Sequence, residues 1–261
     1  MIVWLAFFGI VAFLATIVSR SRNVTNSITV LHALSILVLS FVTYANQTLP
    51  IYVLRNHYFF LDALGIYEIM ISSVVFLLAS IYARGYVESL IKSDELSPRN
   101  ITLFYACFNL LLTTVVLAFC ANNLALMWLC IELTTLLSAI LIVILNAKEN
   151  IAAAIKYLFI VSSCMVFSFA GIILLFGMSK LALGEGSLEW DVLMQHASSF
   201  SPNLFVFVFL LTFIGFAAKS GIAPFHAWLP VTYAKAPSDV SALLSSSVAN
   251  LGIYGIIRMY S

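Results

Sequence analysis

Glu132 lies near the middle of an apolar run, residues 123–144, in which no other residue is charged at neutral pH. A carboxylate at the centre of a bilayer costs about 2.5–3.5 kcal/mol on insertion scales, and a purely structural helix avoids that cost. The residue therefore points to a buried partner and a task, most simply the handling of a cation or a proton. Lys156 and Lys219 stand in or at the edge of the next two apolar runs. Burial disfavours an ammonium and a nearby carboxylate restores it. A small displacement of the acid or its countercharge would then load or unload a proton, and the three groups would titrate as one coupled set. The expectation is a buried acid answered by amines from the two following helices.

Each lysine also has an ordinary explanation. Lys156 sits about one and a half turns into its run and could snorkel to the surface. Lys219 could simply end its helix. Hydroxyls surround the three groups in sequence: Thr134, Thr135, Ser138, Ser162, Ser163, Ser220 and Ser245, Ser246 and Ser247. They could hold water between titratable groups, though most of them suit helix packing. Lys235, His226, Ser245 and Ser246 are secondary candidates for a proton pathway, His226 reading first as a loop or partner-facing side chain. Lys235 and Asp239 flank the last run and read most simply as a surface pair, the alternative being a role in proton entry because they directly follow the broken helix. His32 reads as a packing histidine, Asp62 as an interface residue and Glu68 as a lateral contact.

The elements that must position these residues are membrane helices. Of 261 residues, 63% are hydrophobic and 9% charged, against about 25% charged in soluble domains. Eight runs approach the roughly 20 apolar residues a span needs: 2–18, 28–45, 59–82, 101–119, 123–144, 152–177, 203–218 and 240–260. The fold class is an all-α polytopic membrane protein of about eight helices. The first run lacks a basic leader and reads as a span. Four cysteines lie in apolar runs without a CxxC pair, so neither a disulfide framework nor a zinc site is expected. A net charge of +1 gives no footprint for nucleic acid. Arg20, Arg22, Arg84, Lys92, Arg99, Lys148 and Lys235 follow odd-numbered spans, while only Arg55 and Lys180 follow even-numbered ones. This bias puts the first set in the cytoplasm and the N-terminus outside. The loop 178–202, with Trp190 between Glu189 and Asp191, is expected to lie along the interface. Gly221 and Pro224, close behind Lys219, predict a break in span 7 near 217–224, a device tolerated where backbone lines a polar cavity.

Signatures of soluble catalysis are missing: no GxGxxG, GxxxxGK[ST], HExxH or GxSxG occurs, and no spacing suggests haem or iron–sulfur ligation. Instead, three segments carry a resemblance: Trp128-Leu-Cys-Ile-Glu132-Leu-Thr-Thr, Ala153-Ala-Ile-Lys156-Tyr, and Gly215-Phe-Ala-Ala-Lys219-Ser-Gly-Ile-Ala-Pro-Phe-His226-Ala-Trp-Leu-Pro230. Ala236-Pro-Ser-Asp-Val-Ser-Ala-Leu-Leu244 and Gly255-Ile-Ile-Arg258 continue it. The chain resembles the antiporter-like membrane subunits of respiratory complex I and related hydrogenases, most of all the hydrogenase-4 and formate hydrogenlyase type.

The resemblance implies proton translocation through Glu132, Lys156 and Lys219, coupled to electron transfer in partner subunits. It implies no catalytic centre and no cofactor in this chain. Iron–sulfur, nickel–iron or flavin centres belong to the partners, and the setting is a multisubunit complex in the plasma (inner) membrane. Rival readings are a subunit of a multisubunit cation/proton antiporter and a non-conducting structural subunit. The resemblance further implies three leading helices over residues 1–100 and a five-helix proton-channel repeat over 101–261. Relatives usually carry a His or Lys in span 8, where this sequence has Leu244-Ser-Ser-Ser-Val248. They also have about fourteen spans in two inverted repeats, so the sequence reads as truncated after the eighth, or as completed by a second polypeptide.

Overall fold

The computed structural model describes residues 2–19, 21–46, 49–53, 58–145 and 147–261. Arg20 and Arg55, which entered the orientation argument, lie outside the described residues. The described chain is a helical bundle. In order come α1 (Ile2–Val18), α2 (Arg22–Asn46), a hairpin of β1 (Ile51–Val53) and β2 (Phe59–Leu61), α3 (Ala63–Lys92), α4 (Ile101–Cys120), α5 (Leu124–Val143) and α6 (Lys148–Leu183). A short α7 (Trp190–Gln195) precedes α8 (Pro202–Ser220), α9 (Leu229–Lys235), α10 (Ser238–Leu243) and α11 (Ala249–Tyr260). Seven helical segments are long and apolar enough to cross a membrane: α2 to α6, Pro202–Lys235 and Ser238–Tyr260; α1 adds a shorter apolar helix.

The termini follow local chemistry. Asp62 caps α3 by accepting from the Gly65 N–H at 2.8 Å, and Asn123 caps α5 by accepting from Ala125 and Leu126. Gly184 and Gly221 end α6 and α8 in left-handed backbone, at φ 83° and 72°, which only glycine adopts without strain.

Helix α4 is the buried axis, with most of its residues shielded. Helices α1, α2 and α3 pack around one side of it, and α5, α6, α8 and α11 form the other. Small residues let helices meet closely. A Cβ on Gly215 would stand 2.6 Å from the Ser168 side chain, and one on Gly252 would stand 2.4 Å from the Phe216 carbonyl. These contacts lock α8 between α6 and α11.

The break in span 7 falls where the sequence predicts it. Helix α8 stops at Ser220, a turn and a 3-10 segment, Phe225–Trp228, follow, and α9 resumes. Span 8 holds a π segment, Leu244–Val248, between α10 and α11. Helix α6 runs to Leu183, and the rest of the loop before α8 is tied onto the bundle. Trp190 donates from its backbone to Asn122 O at 2.9 Å and from its indole to Arg258 O at 2.7 Å. The reason is unmet backbone: the α4–α5 turn presents polar groups that this loop satisfies.

Candidate functional site

The α8 break sets the site. Lys219 is the last residue but one of α8 and is fully buried. Its Nζ donates to Thr135 Oγ1 of α5 at 2.7 Å and to the Tyr157 hydroxyl of α6 at 3.3 Å. The Tyr157 hydroxyl lies 2.9 Å from Ser138 Oγ, and Ser138 in turn donates to the Thr134 carbonyl at 2.6 Å. The chain of donors therefore runs away from Lys219, so that hydroxyl lone pairs face the ammonium. The cradle stabilises a cation with dipoles and not with a contact anion. Among the described residues the ion pairs within 4.0 Å are Arg22–Glu88, Lys92–Glu88, Lys235–Glu149 and Arg258–Asp62, none of which includes Lys219.

Trp228 closes the cradle from the far side of the break. It is buried, its ring centroid is 4.8 Å from that of Tyr157, and its indole donates to the Ala218 carbonyl at 2.9 Å. That carbonyl belongs to the interrupted last turn of α8, where it also accepts from the Gly221 N–H at 3.2 Å. Trp228 was part of the quoted segment but carried no role there; its signal was an indole placed just past a helix-breaking proline.

Glu132 is half-buried on α5, one turn before Thr135. Ser162 of α6 donates to its Oε1. Its Oε2 is buried and makes no hydrogen bond among the described residues. The carboxylate acts on Lys219 electrostatically without touching it. Glu132 thus meets a hydroxyl directly and one amine at a distance.

Lys156 stands apart. It is exposed, and it makes no hydrogen bond or ion pair among the described residues. Geometry explains this: six residues separate it from Ser162, about 9 Å along α6 and about 240° around it, so the two cannot share a face. His226 is exposed beyond the break. Lys235 pairs with Glu149 on the surface, not with Asp239. Ser245 and Ser246 turn outward in the π segment, both donating to the Ala242 carbonyl.

Two further charged residues are buried. Arg258 is 5% exposed, forms a bidentate pair with Asp62 at 2.8 and 2.7 Å, and is ringed by Phe60, Trp190 and Tyr254. Asp62 therefore has an internal partner as well as its cap on α3. Asp239 is 2% exposed. His32 is buried: its Nδ1 contacts Asn109 Oδ1 at 3.0 Å, its Nε2 makes no hydrogen bond among the described residues, and Asn109 also donates to Thr16 and Thr29. Glu68 accepts from Asn250 at 3.3 Å.

Residues 121–261, which hold Glu132, Lys156 and Lys219, match the NADH:quinone oxidoreductase/Mrp antiporter transmembrane family. The chain is 29% identical over 203 residues to a hydrogenase-4 component F homolog of Methylacidiphilum infernorum, covering 77% of this chain and 43% of that protein. It is 32% identical over 207 residues to Na(+)/H(+) antiporter subunit A1 of Staphylococcus aureus, covering 78% of this chain and 24% of that one. The chain thus spans less than half the length of these curated relatives. A subunit of the membrane-bound sulfane sulfur reductase, an archaeal respiratory membrane complex, superposes with a TM-score of 0.84 at 18% identity, over 98% of this chain and 52% of that one. That likeness extends the shared fold to the leading helices.

Proposed function

The chain belongs to the NADH:quinone oxidoreductase/Mrp antiporter transmembrane family, and on that premise we propose that it is a proton-translocating antiporter-like subunit of a membrane-bound, hydrogenase-4-like or complex I-like oxidoreductase. One observation carries the reading: Lys219 is fully buried at a helix break, held by hydroxyls and within the field of Glu132. A buried ammonium without a contact anion relies on nearby dipoles and charges. Its charge state then depends on the charge of the nearby carboxylate. Protonating Glu132, or drawing its charge toward another group, weakens the hold on the Lys219 proton; restoring the carboxylate reloads it. Electron transfer in partner subunits, which hold the redox centres, supplies the change in field. The side carrying Lys92, Lys148 and Lys235 faces the cytoplasm, the N-terminus lies outside, and the complex sits in the plasma membrane.

The test is proton movement in membrane vesicles carrying the native assembly. Glu132→Gln and Lys219→Ala are each expected to stop proton movement while the assembly survives. Unchanged pumping in both variants refutes the reading. The likeness to an Na(+)/H(+) antiporter subunit supports a second reading, exchange of a metal cation for protons. A strict requirement for sodium or potassium in the same vesicles selects it.

A further inference from the structure

The junction of α9 and α10 gathers groups that the pathway above does not use. Asp239 is the second residue of α10 and is 2% exposed. Its Oδ1 accepts from the Val240 N–H at 2.9 Å. Its Oδ2 is buried and makes no hydrogen bond among the described residues. No lysine or arginine pairs with it within 4.0 Å among the described residues. From α4, the fully buried Tyr105 hydroxyl also lacks a hydrogen bond among the described residues and lies within the field of Asp239.

The other polar groups nearby are engaged elsewhere. Arg22 of α2 and Arg84 of α3 act on Tyr105 from a distance; Arg22 is held by Glu88 at 3.2 Å, and Arg84 is exposed. The Asn26 amide donates to the Ser80 carbonyl at 2.8 Å, and the same side chain also acts on the Tyr105 hydroxyl. An unpaired carboxyl thus shares one buried region with a phenol, with no cation to hold the carboxyl ionised. Such a carboxyl is stabilised by a proton, or by water shared with the phenol.

The same junction opens to solvent. A groove of ≈ 490 Å³ is lined by Tyr86, Asp94, Glu95, Glu149, Lys235 and Ser238, among others. Ser238, which donates to the Tyr86 hydroxyl at 3.2 Å, immediately precedes Asp239. The groove holds three acids and one lysine, and that lysine is already paired with Glu149. Its negative potential concentrates protons at the mouth. On the inner side, α10 touches α5, the helix that carries Thr135 and Ser138.

We propose that Asp239 is a proton-carrying carboxyl, loaded from the acidic groove and delivering protons past Tyr105 toward the Lys219 cradle. The proposal rests on the proton-translocating reading and adds an uptake site to it. The step is a simple transfer: a hydronium in the groove protonates Asp239, and the carboxyl later releases that proton to water inside the bundle.

The experiment uses native vesicles and two readouts, proton movement and infrared difference spectra of carboxyl groups. Wild type is expected to show the C=O stretch of a buried protonated carboxylic acid. Asp239→Asn is expected to remove that band and to slow proton movement roughly tenfold or more. Asp239→Glu is expected to shift the band and restore movement in part. Tyr105→Phe, which deletes only the hydroxyl, is expected to slow movement with the assembly intact, and it decides the matter if Asp239→Asn does not assemble. Wild-type rates in Asp239→Asn or in Tyr105→Phe overturn the proposal, as does a band that persists in Asp239→Asn. If Glu132→Gln and Lys219→Ala block movement while Asp239→Asn does not, this proposal alone fails. If those two also leave movement intact, the underlying functional reading fails instead.

Discussion

Thr135 stands one helical turn beyond Glu132 on α5, and the Lys219 ammonium bonds Thr135, at 2.7 Å, and not the acid. The separation has a consequence for function. In a direct buried ion pair each charge pins the other, and breaking the pair by losing one partner costs about 3–5 kcal/mol. With the ammonium held by a hydroxyl and the acid one turn away, the carboxylate is able to bias the lysine without trapping it.

Thr135→Val tests that arrangement. Valine keeps the branched shape and removes the acceptor. A hydrogen bond to a charged group contributes about 1.5–3 kcal/mol, so the ammonium form of Lys219 loses that stabilisation. Proton movement is expected to fall by roughly 10- to 100-fold, with assembly unchanged on native gels. Vesicle pumping at the wild-type rate would show that the contact is only structural.

Trp228→Phe tests the role of the break. Phenylalanine preserves most of the ring packing on Tyr157 but removes the indole donor at 2.9 Å, so that the Ala218 carbonyl keeps only the Gly221 N–H at 3.2 Å. Loss of one such hydrogen bond costs about 0.5–1.5 kcal/mol. The solubilised protein is expected to melt at a lower temperature, and the Lys219 cradle to loosen with it. A melting temperature and proton movement equal to wild type would remove Trp228 from the site.

Legibility differed by the kind of interaction. The helices follow from long apolar runs, and the break follows from Gly221 and Pro224, because both signals are local. Lys219 was legible for the same reason: a cation beside a break inside an apolar run has few other uses. Lys156 was not, since its direction depends on how α6 rotates between α5 and α8. That rotation is set by close packing at Gly171 and Gly215, which no charge pattern reveals. Asp239 looked like half of a surface pair because Lys235 is four residues away. Glu149, distant in sequence, takes that lysine instead. The Asp62–Arg258 pair joins positions 196 residues apart, beyond the reach of any local motif.

That pair predicts a non-additive pattern. Asp62→Asn alone leaves the nearly buried Arg258 without its carboxylate, and breaking a buried pair costs about 3–5 kcal/mol, an upper figure here because Asp62 keeps 24% of its side chain exposed. Arg258→Met alone frees a carboxylate that still caps α3. The double variant is expected to be more stable than the sum of the two losses, as thermal melts of the solubilised protein would show. Strict additivity would mean the two side chains do not interact in the folded protein.

The glycine contacts give the sharpest contrast in stability. A Cβ on Gly252 would lie 2.4 Å from the Phe216 carbonyl and 2.2 Å from Ser220 Oγ. The carbonyl cannot swing away, so Gly252→Ala must push α11 off α8, next to Lys219. Overpacking of this kind costs about 1–3 kcal/mol, and proton movement should fall together with the melting temperature. Gly177 lies inside α6 with nothing within 4 Å of the built Cβ. Gly177→Ala is therefore expected to be neutral or to stabilise by about 0.5–1 kcal/mol, the helical gain of alanine over glycine. Equal behaviour of the two variants would show that the α8–α11 contact does not set the position of the lysine.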